Sequence, residues 1–169
     1  MINSNKFKIF ENEYQIGNYV KYNDKISKIE NIETSKHDHL IYTLRQIIDN
    51  NVVKLESHFS GIKIEANILS QLGFNKINST DPDLIVFNKD ELFLADLTKF
   101  TNPHGWSKYC IYDVDKFSMN GFSNYYSMIK EKSFAIFHIH ALQNYVNKHP
   151  NLVKIEFDKI VMTDAKLKE

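Results

Sequence analysis

The fold of this chain is decided by residues 81–87, Asp-Pro-Asp-Leu-Ile-Val-Phe, and residues 92–99, Leu-Phe-Leu-Ala-Asp-Leu-Thr-Lys. Both segments contain apolar runs of strand length, and the short polar segment between them, residues 88–91, is rich in turn formers. This pattern predicts a β-hairpin. Pro82 is compatible with it, because the first residues of a strand need not donate to the ladder.

The predicted hairpin brings two carboxylates, those of Asp83 and Asp96, to neighbouring strand positions at one end of a sheet. Side chains alternate along a strand, so Asp96 and Thr98 project from one face and Lys99 from the other. Two carboxylates this close repel each other unless a cation lies between them. A metal site is therefore one interpretation of the pair. In the other, Asp83 belongs to a turn and Asp96 faces solvent.

The composition is that of one globular domain. A chain of 169 residues, 43% hydrophobic and 25% charged, is long enough to bury a core and too apolar to be disordered. Lys plus Arg and Asp plus Glu both number 21, so no net charge indicates non-specific binding to nucleic acid. The single cysteine, Cys110, excludes an intrachain disulfide. No segment resembles a membrane span or a signal peptide, which predicts a soluble, intracellular protein.

Helical periodicity dominates the part before the hairpin. Residues 1–34 show an imperfect helical period and are predicted to be mainly helical and to cover the core. Residues 35–38, Ser-Lys-His-Asp, have the spacing of a capping box and are predicted to open a helix that ends at residues 49–51. A further helix is predicted at about 59–72, with Gly73 as its left-handed stop.

The part after the hairpin is predicted to contain a loop, helices and two strands. Proline and glycine indicate a loop at residues 101–106. Helical stretches are predicted around residues 109–117 and 125–129. Residues 133–140 are typical of a buried strand, and residues 153–157 alternate cleanly enough to predict another.

Three further side chains before the hairpin are candidate metal ligands. His37 is predicted to project inward with the apolar stripe of its helix, where an imidazole is either a ligand or a satisfied core residue. Glu56 precedes the helix at 59–72 and Glu65 lies on it, and a solvated carboxylate is the commoner fate of either. One imidazole among several carboxylates suits Mn²⁺ or Mg²⁺. Two such ions can clamp a phosphodiester, and a nearby lysine can offset the charge that grows on its oxygens.

Part of this pattern resembles the PD-(D/E)xK nucleases. Pro82-Asp83 and Asp96 match the first two elements of their motif. The third element departs from it, because Thr98 stands where those enzymes have lysine. Lys99 does not replace that lysine, since it projects from the opposite face of the strand.

The whole series of motifs resembles the cap-snatching endonuclease at the N-terminus of the L proteins of bunyavirus-type RNA viruses. In several branches of that family the strand motif is (D/E)xT and the catalytic lysine lies on the following helix. The resemblance covers about residues 35–140. Its matching residues are Lys36-His37-Asp38, Glu56, Pro82-Asp83, Asp96-Leu97-Thr98 and a lysine further on.

The resemblance implies a two-metal RNA endonuclease, with Mn²⁺ preferred and Mg²⁺ possible. It implies as metal ligands His37, Glu56, Asp83, Asp96 and the carbonyl of Leu97. Spacing favours Glu56 over Glu65 as the acid. The resemblance also places Asp83, Asp96 and Thr98 at the catalytic centre with a lysine. Asp115-Lys116-Phe117 resembles the Asp-Lys-Tyr of the family's helix, so Lys116 is the preferred lysine and Lys108 its alternate.

The resemblance implies two partners. One is capped, single-stranded host RNA, which would be cut to give primers for viral transcription, and the other is the remainder of a viral RNA polymerase. The location would be the host cytoplasm and the virion, and the isolated domain is expected to be a monomer. Trp106 is a candidate for stacking on a base, although it is equally suited to covering the core.

Two other functions remain open: a PD-(D/E)xK nuclease that cuts DNA, and a non-catalytic interaction domain on the same fold. His138 and His140 would share a strand face and could form a metal pair with His58 or His104. No carboxylate or cysteine spacing supports such a site, so ordinary strand histidines are favoured.

The predicted fold class is α/β: a small, mixed, twisted sheet of four or five strands surrounded by helices, of the PD-(D/E)xK type. A single domain is predicted over residues 1–169. It is divided into a helical covering segment at 1–34, a nuclease core at 35–160 and a polar tail at 161–169.

Overall fold

The computed structural model describes residues 8–9, 13–77, 85–96, 109–112 and 134–160. Within these residues the protein is a mixed α/β structure that is mostly sheet, with two antiparallel-rich sheets and two short α-helices. The predicted α/β class is confirmed at this level, but the expected single sheet of four or five strands surrounded by helices was wrong, because the strands form two sheets and helices are few among the described residues. The described helices are all too short or too polar to cross a membrane.

The first sheet has five strands in the order β5-β4-β3-β2-β6, and every neighbouring pair is antiparallel. Strands β2 to β5 form consecutive hairpins, and β6 returns to pair with β2. One shift of register occurs in the β3–β4 pair between Ile29 and Asn31. The strands are β2 (Tyr19–Tyr22), β3 (Lys25–Thr34), β4 (Leu40–Gln46), β5 (Val52–Leu55) and β6 (Ser60–Gly61).

The second sheet has six strands in the order β1-β11-β10-β9-β8-β7. Its pairs are antiparallel except for β1 and β11, which run parallel. The strands are β1 (Lys8–Ile9), β7 (Asn75–Ile77), β8 (Ile85–Lys89), β9 (Leu92–Asp96), β10 (Tyr109–Tyr112) and β11 (Phe134–Ile136).

Helix α1 (Ala66–Gln71) leads directly into β7, and helix α2 (Ile139–Lys148) follows β11. The larger core is shared by both helices and the six-stranded sheet, and its fully buried members include Leu69, Leu94 and Leu142. A smaller core within the five-stranded sheet contains Val20, Ile29 and Leu44.

The prediction of a mainly helical N-terminal segment was wrong for the described residues, and so was the helix predicted at 35–51. Strands β2, β3 and β4 occupy most of these positions. Short apolar runs fit helix and strand periods about equally well, and pairing with neighbouring strands decided between them. Ser35 does satisfy backbone amides: its Oγ accepts hydrogen bonds from the N–H groups of His37 and His39, each at 3.2 Å. It does so in the β3–β4 hairpin loop instead of at a helix start.

Further predictions of local structure need correction. The helix predicted at about 59–72 spans only Ala66–Gln71, and Ser60–Gly61 is strand β6. Tyr109–Tyr112 is strand β10, where a helix was predicted. The predicted strand at 153–157 is absent, and a 3₁₀-helix spans Phe157–Ile160 instead. Of the predicted strand at 133–140, the described residues form a strand at Phe134–Ile136, after which His138 is the N-cap residue of helix α2 without a side-chain cap hydrogen bond. The predicted helical stretch at 125–129 and the tail at 161–169 lie outside the described residues.

The stop predicted at Gly73 is confirmed, because helix α1 ends there with a Schellman motif. Phe74 N–H donates to the Leu69 carbonyl at 2.9 Å, and Gly73 N–H donates to the Ser70 carbonyl at 3.1 Å. Gly73 has a φ of +86°, and a Cβ there would lie 2.8 Å from Lys89 Nζ. That ammonium donates to the Leu72 carbonyl at 2.9 Å.

We expect Gly73→Ala to lower the free energy of unfolding by about 1–2 kcal/mol, because a left-handed backbone disfavours a Cβ. The displaced Lys89 should add to the loss. Gly17→Ala is the matched control, since Gly17 has a φ of +92° but a Cβ added there would meet no atom within 4 Å. Urea unfolding of both variants checks this, and a smaller loss at Gly73 than at Gly17 would contradict it.

Candidate functional site at the β8–β9 hairpin

The predicted hairpin is present as strands β8 and β9, which pair from Lys89 and Leu92 at the turn to Ile85 and Asp96 at the open end. The turn consists of the two exposed residues between the strands, and Asp90 has a positive φ of 50°. Tight two-residue hairpins favour a positive φ at their first central residue. Leu92 and Leu94 are fully buried, so this face of β9 lies against the larger core.

Asp96 is the last described residue of strand β9 and is held from both sides. Its backbone lies opposite Ile85 of β8 and opposite Tyr109 of β10. Alternation along the strand places Asp96 on the face of Leu92 and Leu94, and its side chain is only partly exposed. A carboxylate at this place is fixed by an interior strand, which is what precise positioning of a ligand requires.

His37 does not have the environment predicted for it. It lies in the loop of the β3–β4 hairpin, residues 35–39, and its side chain is exposed. The apolar stripe on which it was expected does not exist, because the residues that follow form strand β4. His37 therefore belongs to the five-stranded sheet, whereas Asp96 belongs to the six-stranded sheet.

The two candidate glutamates are attached to different sheets. Glu56 directly follows β5, the outermost strand of the five-stranded sheet, and is exposed. Glu65 is the N-cap residue of helix α1, which continues into β7 of the six-stranded sheet. Glu65 also borders a cleft of about 380 Å³ between β2, β6 and α1, together with Lys21, Lys63 and Asn67.

Several predicted site residues lie outside the described residues: Asp83, Leu97, Thr98, Trp106, Lys108 and Lys116. Within the described part of the chain, no three His, Cys, Asp or Glu side chains lie close enough together to hold a metal ion. His37, Glu56 and Asp96 are therefore not brought together there. A metal centre at the hairpin would depend on groups from beyond these ranges.

A group of aromatic and imidazole rings packs where the two sheets meet, and sequence reasoning paired His138 with His140 but did not place Tyr14 beside them. The ring centroids of His138 and His140 are 5.5 Å apart with an interplanar angle of 18°. Tyr14 lies against His140, with centroids 4.4 Å apart. We call Tyr14, His140 and His138 the histidine stack. The prediction that the two histidines share a strand face was wrong, because His138 caps helix α2 and His140 lies in its first turn.

A buried set of side-chain amides, Asn18, Gln143 and Asn144, was also missed; we call it the amide clamp. Asn18 Nδ2 donates to Asn144 Oδ1 at 2.9 Å, and Asn144 Nδ2 donates to the Glu13 carbonyl at 2.7 Å. Tyr19 N–H donates to Gln143 Oε1 at 2.8 Å. The clamp joins helix α2 to the start of β2. The sequence does contain a signal for the clamp, which is the Gln-Asn pair inside an apolar helical pattern. Amides at buried positions must be hydrogen-bonded, so such a pair indicates partners elsewhere in the chain.

Comparisons with known proteins found no protein family, no curated protein and no solved structure that matches this chain. Functional inference therefore rests on the residues and on the geometry of the hairpin.

Proposed function

We propose that this protein is a metal-dependent endonuclease that cleaves RNA, with its site at the open end of the β8–β9 hairpin. The observation that carries the proposal is the pairing of Ile85 with Asp96. Asp83 precedes Ile85 by two residues in the sequence, and the proposal is that its carboxylate lies near that of Asp96. Two carboxylates near each other at the end of a sheet favour a divalent cation between them.

The order of elements supports a PD-(D/E)xK-like arrangement. Helix α1 is followed by the three consecutive antiparallel strands β7, β8 and β9 in one sheet. Of the two glutamates, Glu65 is the better third acid, because it begins the helix that leads into this sheet. The described geometry gives no support to a ligand role for His37 or Glu56, which belong to the other sheet.

The finer parts of the proposal come from the resemblance to the viral cap-snatching enzymes. They are capped single-stranded RNA as substrate, Mn²⁺ or Mg²⁺ as the ions, Lys116 or Lys108 as the catalytic lysine, and a larger viral polymerase as partner. Because the described residues do not complete a metal centre, the proposal extends to phosphodiester hydrolysis as a reaction class and to no individual step.

The test is the melting temperature of the full chain with EDTA, with about 1 mM Mn²⁺ and with about 1 mM Mg²⁺. A ligand that binds only the native state raises its stability, so Mn²⁺ should raise the melting temperature by several degrees. Asp83→Asn and Asp96→Asn should each abolish the rise. Glu65→Gln should reduce it, and Glu56→Gln should leave it unchanged.

Glu91→Gln is the matched control, because Glu91 is an exposed carboxylate in the turn of the same hairpin. Wild-type protein should then cleave single-stranded RNA, and Asp83→Asn should not. Cleavage of duplex DNA but not of RNA would replace the proposal with the DNA-nuclease alternative. A melting temperature that neither ion changes would refute the metal site.

The second candidate function is a non-catalytic interaction domain. It is favoured by one observation: within the described ranges, the acids and histidines are dispersed over two sheets and do not gather into a metal-binding group. This candidate predicts no stabilisation by either ion and no cleavage, so the same measurements decide between the two functions.

A further inference from the structure

The two sheets are connected by a short antiparallel contact between residues 62–64 and residues 137–139. Lys63 and His138 form an isolated β-bridge. Ile64 N–H donates to the Phe137 carbonyl at 3.0 Å, and Ile139 N–H donates to the Ile62 carbonyl at 2.8 Å. The first segment follows β6 of the five-stranded sheet, and the second links β11 of the six-stranded sheet to helix α2. We call this contact the sheet junction.

The imidazole of His138 fills the sheet junction tightly. A Cβ on Gly61 would lie 2.6 Å from His138 Cγ, so the ring lies directly on the backbone of β6. The ring of His138 also stacks on His140, which is 1% exposed. His138 Nδ1 is buried and has no hydrogen-bond partner among the described residues. The pocket therefore accommodates a neutral ring, and a protonated ring would bury an N–H donor without an acceptor.

Within the described part of the chain, the charged and titratable groups that face His138 are a lysine, a tyrosine and a second histidine. Lys63 contributes a cation from the facing segment, and His140 and Tyr14 contribute the rings of the histidine stack. None of these described groups is a carboxylate. Burial lowers the pKa of His138, and the charge of Lys63 lowers it further. Burial raises the pKa of Tyr14, then Tyr42 raises it further, so its phenol stays neutral.

We infer that His138 makes the sheet junction acid-sensitive, so that protonation of its imidazole loosens the contact between the two sheets. The neutral form is compatible with the stack, with the Gly61 contact and with the neighbouring ammonium. The cation would place a second positive charge beside the Lys63 ammonium and a buried N–H without an acceptor in the junction. This inference does not depend on nuclease activity, because it concerns residues away from the β8–β9 hairpin.

The direction of the pH effect follows from the lowered pKa. Below the ordinary histidine value of 6.5 the unfolded chain binds a proton that the folded chain resists. Stability contributed by neutral His138 is therefore complete above pH 6.5 and is lost as the pH falls below it toward the lowered pKa of the folded state. We expect the melting temperature to fall between about pH 7.5 and about pH 5.5.

The test compares this fall in the wild-type full chain with that in His138→Gln, which cannot titrate. Most of the fall in melting temperature should disappear in His138→Gln. It should persist in His37→Gln, because His37 is exposed in a hairpin loop. An equal fall in wild type and His138→Gln would overturn the inference.

A second measurement uses the wild-type chain alone, in case His138→Gln does not fold. Hydrogen exchange, corrected for the intrinsic effect of pH, should show that the Ile64 and Ile139 amides lose protection at about pH 5.5. Amides of the β3–β4 ladder should lose less. A uniform change of protection across both groups would also overturn the inference.

Discussion

Asn144→Ala is expected to lower the free energy of unfolding by about 2–4 kcal/mol, because it removes the centre of the amide clamp and leaves buried groups without partners. Asn144 is 2% exposed, and its amide accepts from Asn18 Nδ2 and donates to the Glu13 carbonyl. Asn18 is itself 1% exposed, so water does not reach its freed N–H. Leaving such a donor unpaired costs more than the hydrogen bond contributes when it is formed.

The matched control for this prediction is Asn147→Ala, which changes the same residue type on an exposed part of helix α2. Its effect should stay within about 0.5 kcal/mol, as is usual for surface substitutions. Both values come from urea unfolding of the full chain, followed by tryptophan fluorescence or circular dichroism. Similar losses in the two variants would show that the clamp does not stabilise the fold.

Gly61→Ala is expected to lower the free energy of unfolding by about 1–3 kcal/mol, the usual cost of overpacking a filled site. The added methyl group would lie 2.6 Å from Cγ, 2.8 Å from Cδ2 and 2.9 Å from Cβ of His138. His138 cannot simply rotate away, because its backbone is held in the bridge with Lys63 and its ring in the histidine stack. Either β6 or the start of helix α2 must therefore shift.

A double-mutant cycle tests whether the clash is the cause of this loss. His138→Ala removes Cγ and Cδ2 but keeps the Cβ that lies 2.9 Å from the added methyl group, so Gly61→Ala should cost clearly less in a His138→Ala background without becoming neutral. Ser60→Ala, on the exposed neighbouring position of β6, is the control and should have little effect. Additive losses in the double mutant would contradict the proposed contact.

The hairpin was predictable because all of its signals are local. Two apolar runs and a polar turn specify β8 and β9 without reference to the rest of the chain, and the stop at Gly73 was predictable for the same reason. The β-strands at 25–46 were not predictable in this way. Ile41, Leu44 and Ile48 fit a helical period, but Leu44 is buried by pairing with neighbouring strands, which the period does not reveal.

The candidate site was predictable only in part. The place of Asp96 in the second strand of the hairpin follows from local pattern, and its backbone does lie opposite Ile85 and Tyr109. His37 was expected beside Asp96 because a helix was predicted at 35–51. Those residues instead form a loop and strand β4, so the predicted position of His37 was wrong as well. The histidine stack depends on the meeting of residues from position 14 and positions 138–140, and no spacing in the sequence indicates such a contact.

The amide clamp also has a consequence for the order in which the molecule assembles. Asn18 and Asn144 are 126 positions apart, whereas β2, β3 and β4 are joined by short hairpins. Local pairings form at a low entropic cost, and closing a loop of this length comes at a much higher one. During synthesis, the five-stranded sheet can pair its strands long before helix α2 has left the ribosome. Until then, Asn18 Nδ2 and the Tyr19 N–H lack the acceptors that Asn144 and Gln143 provide. Helix α2 therefore completes the hydrogen bonding of a sheet that was formed without it.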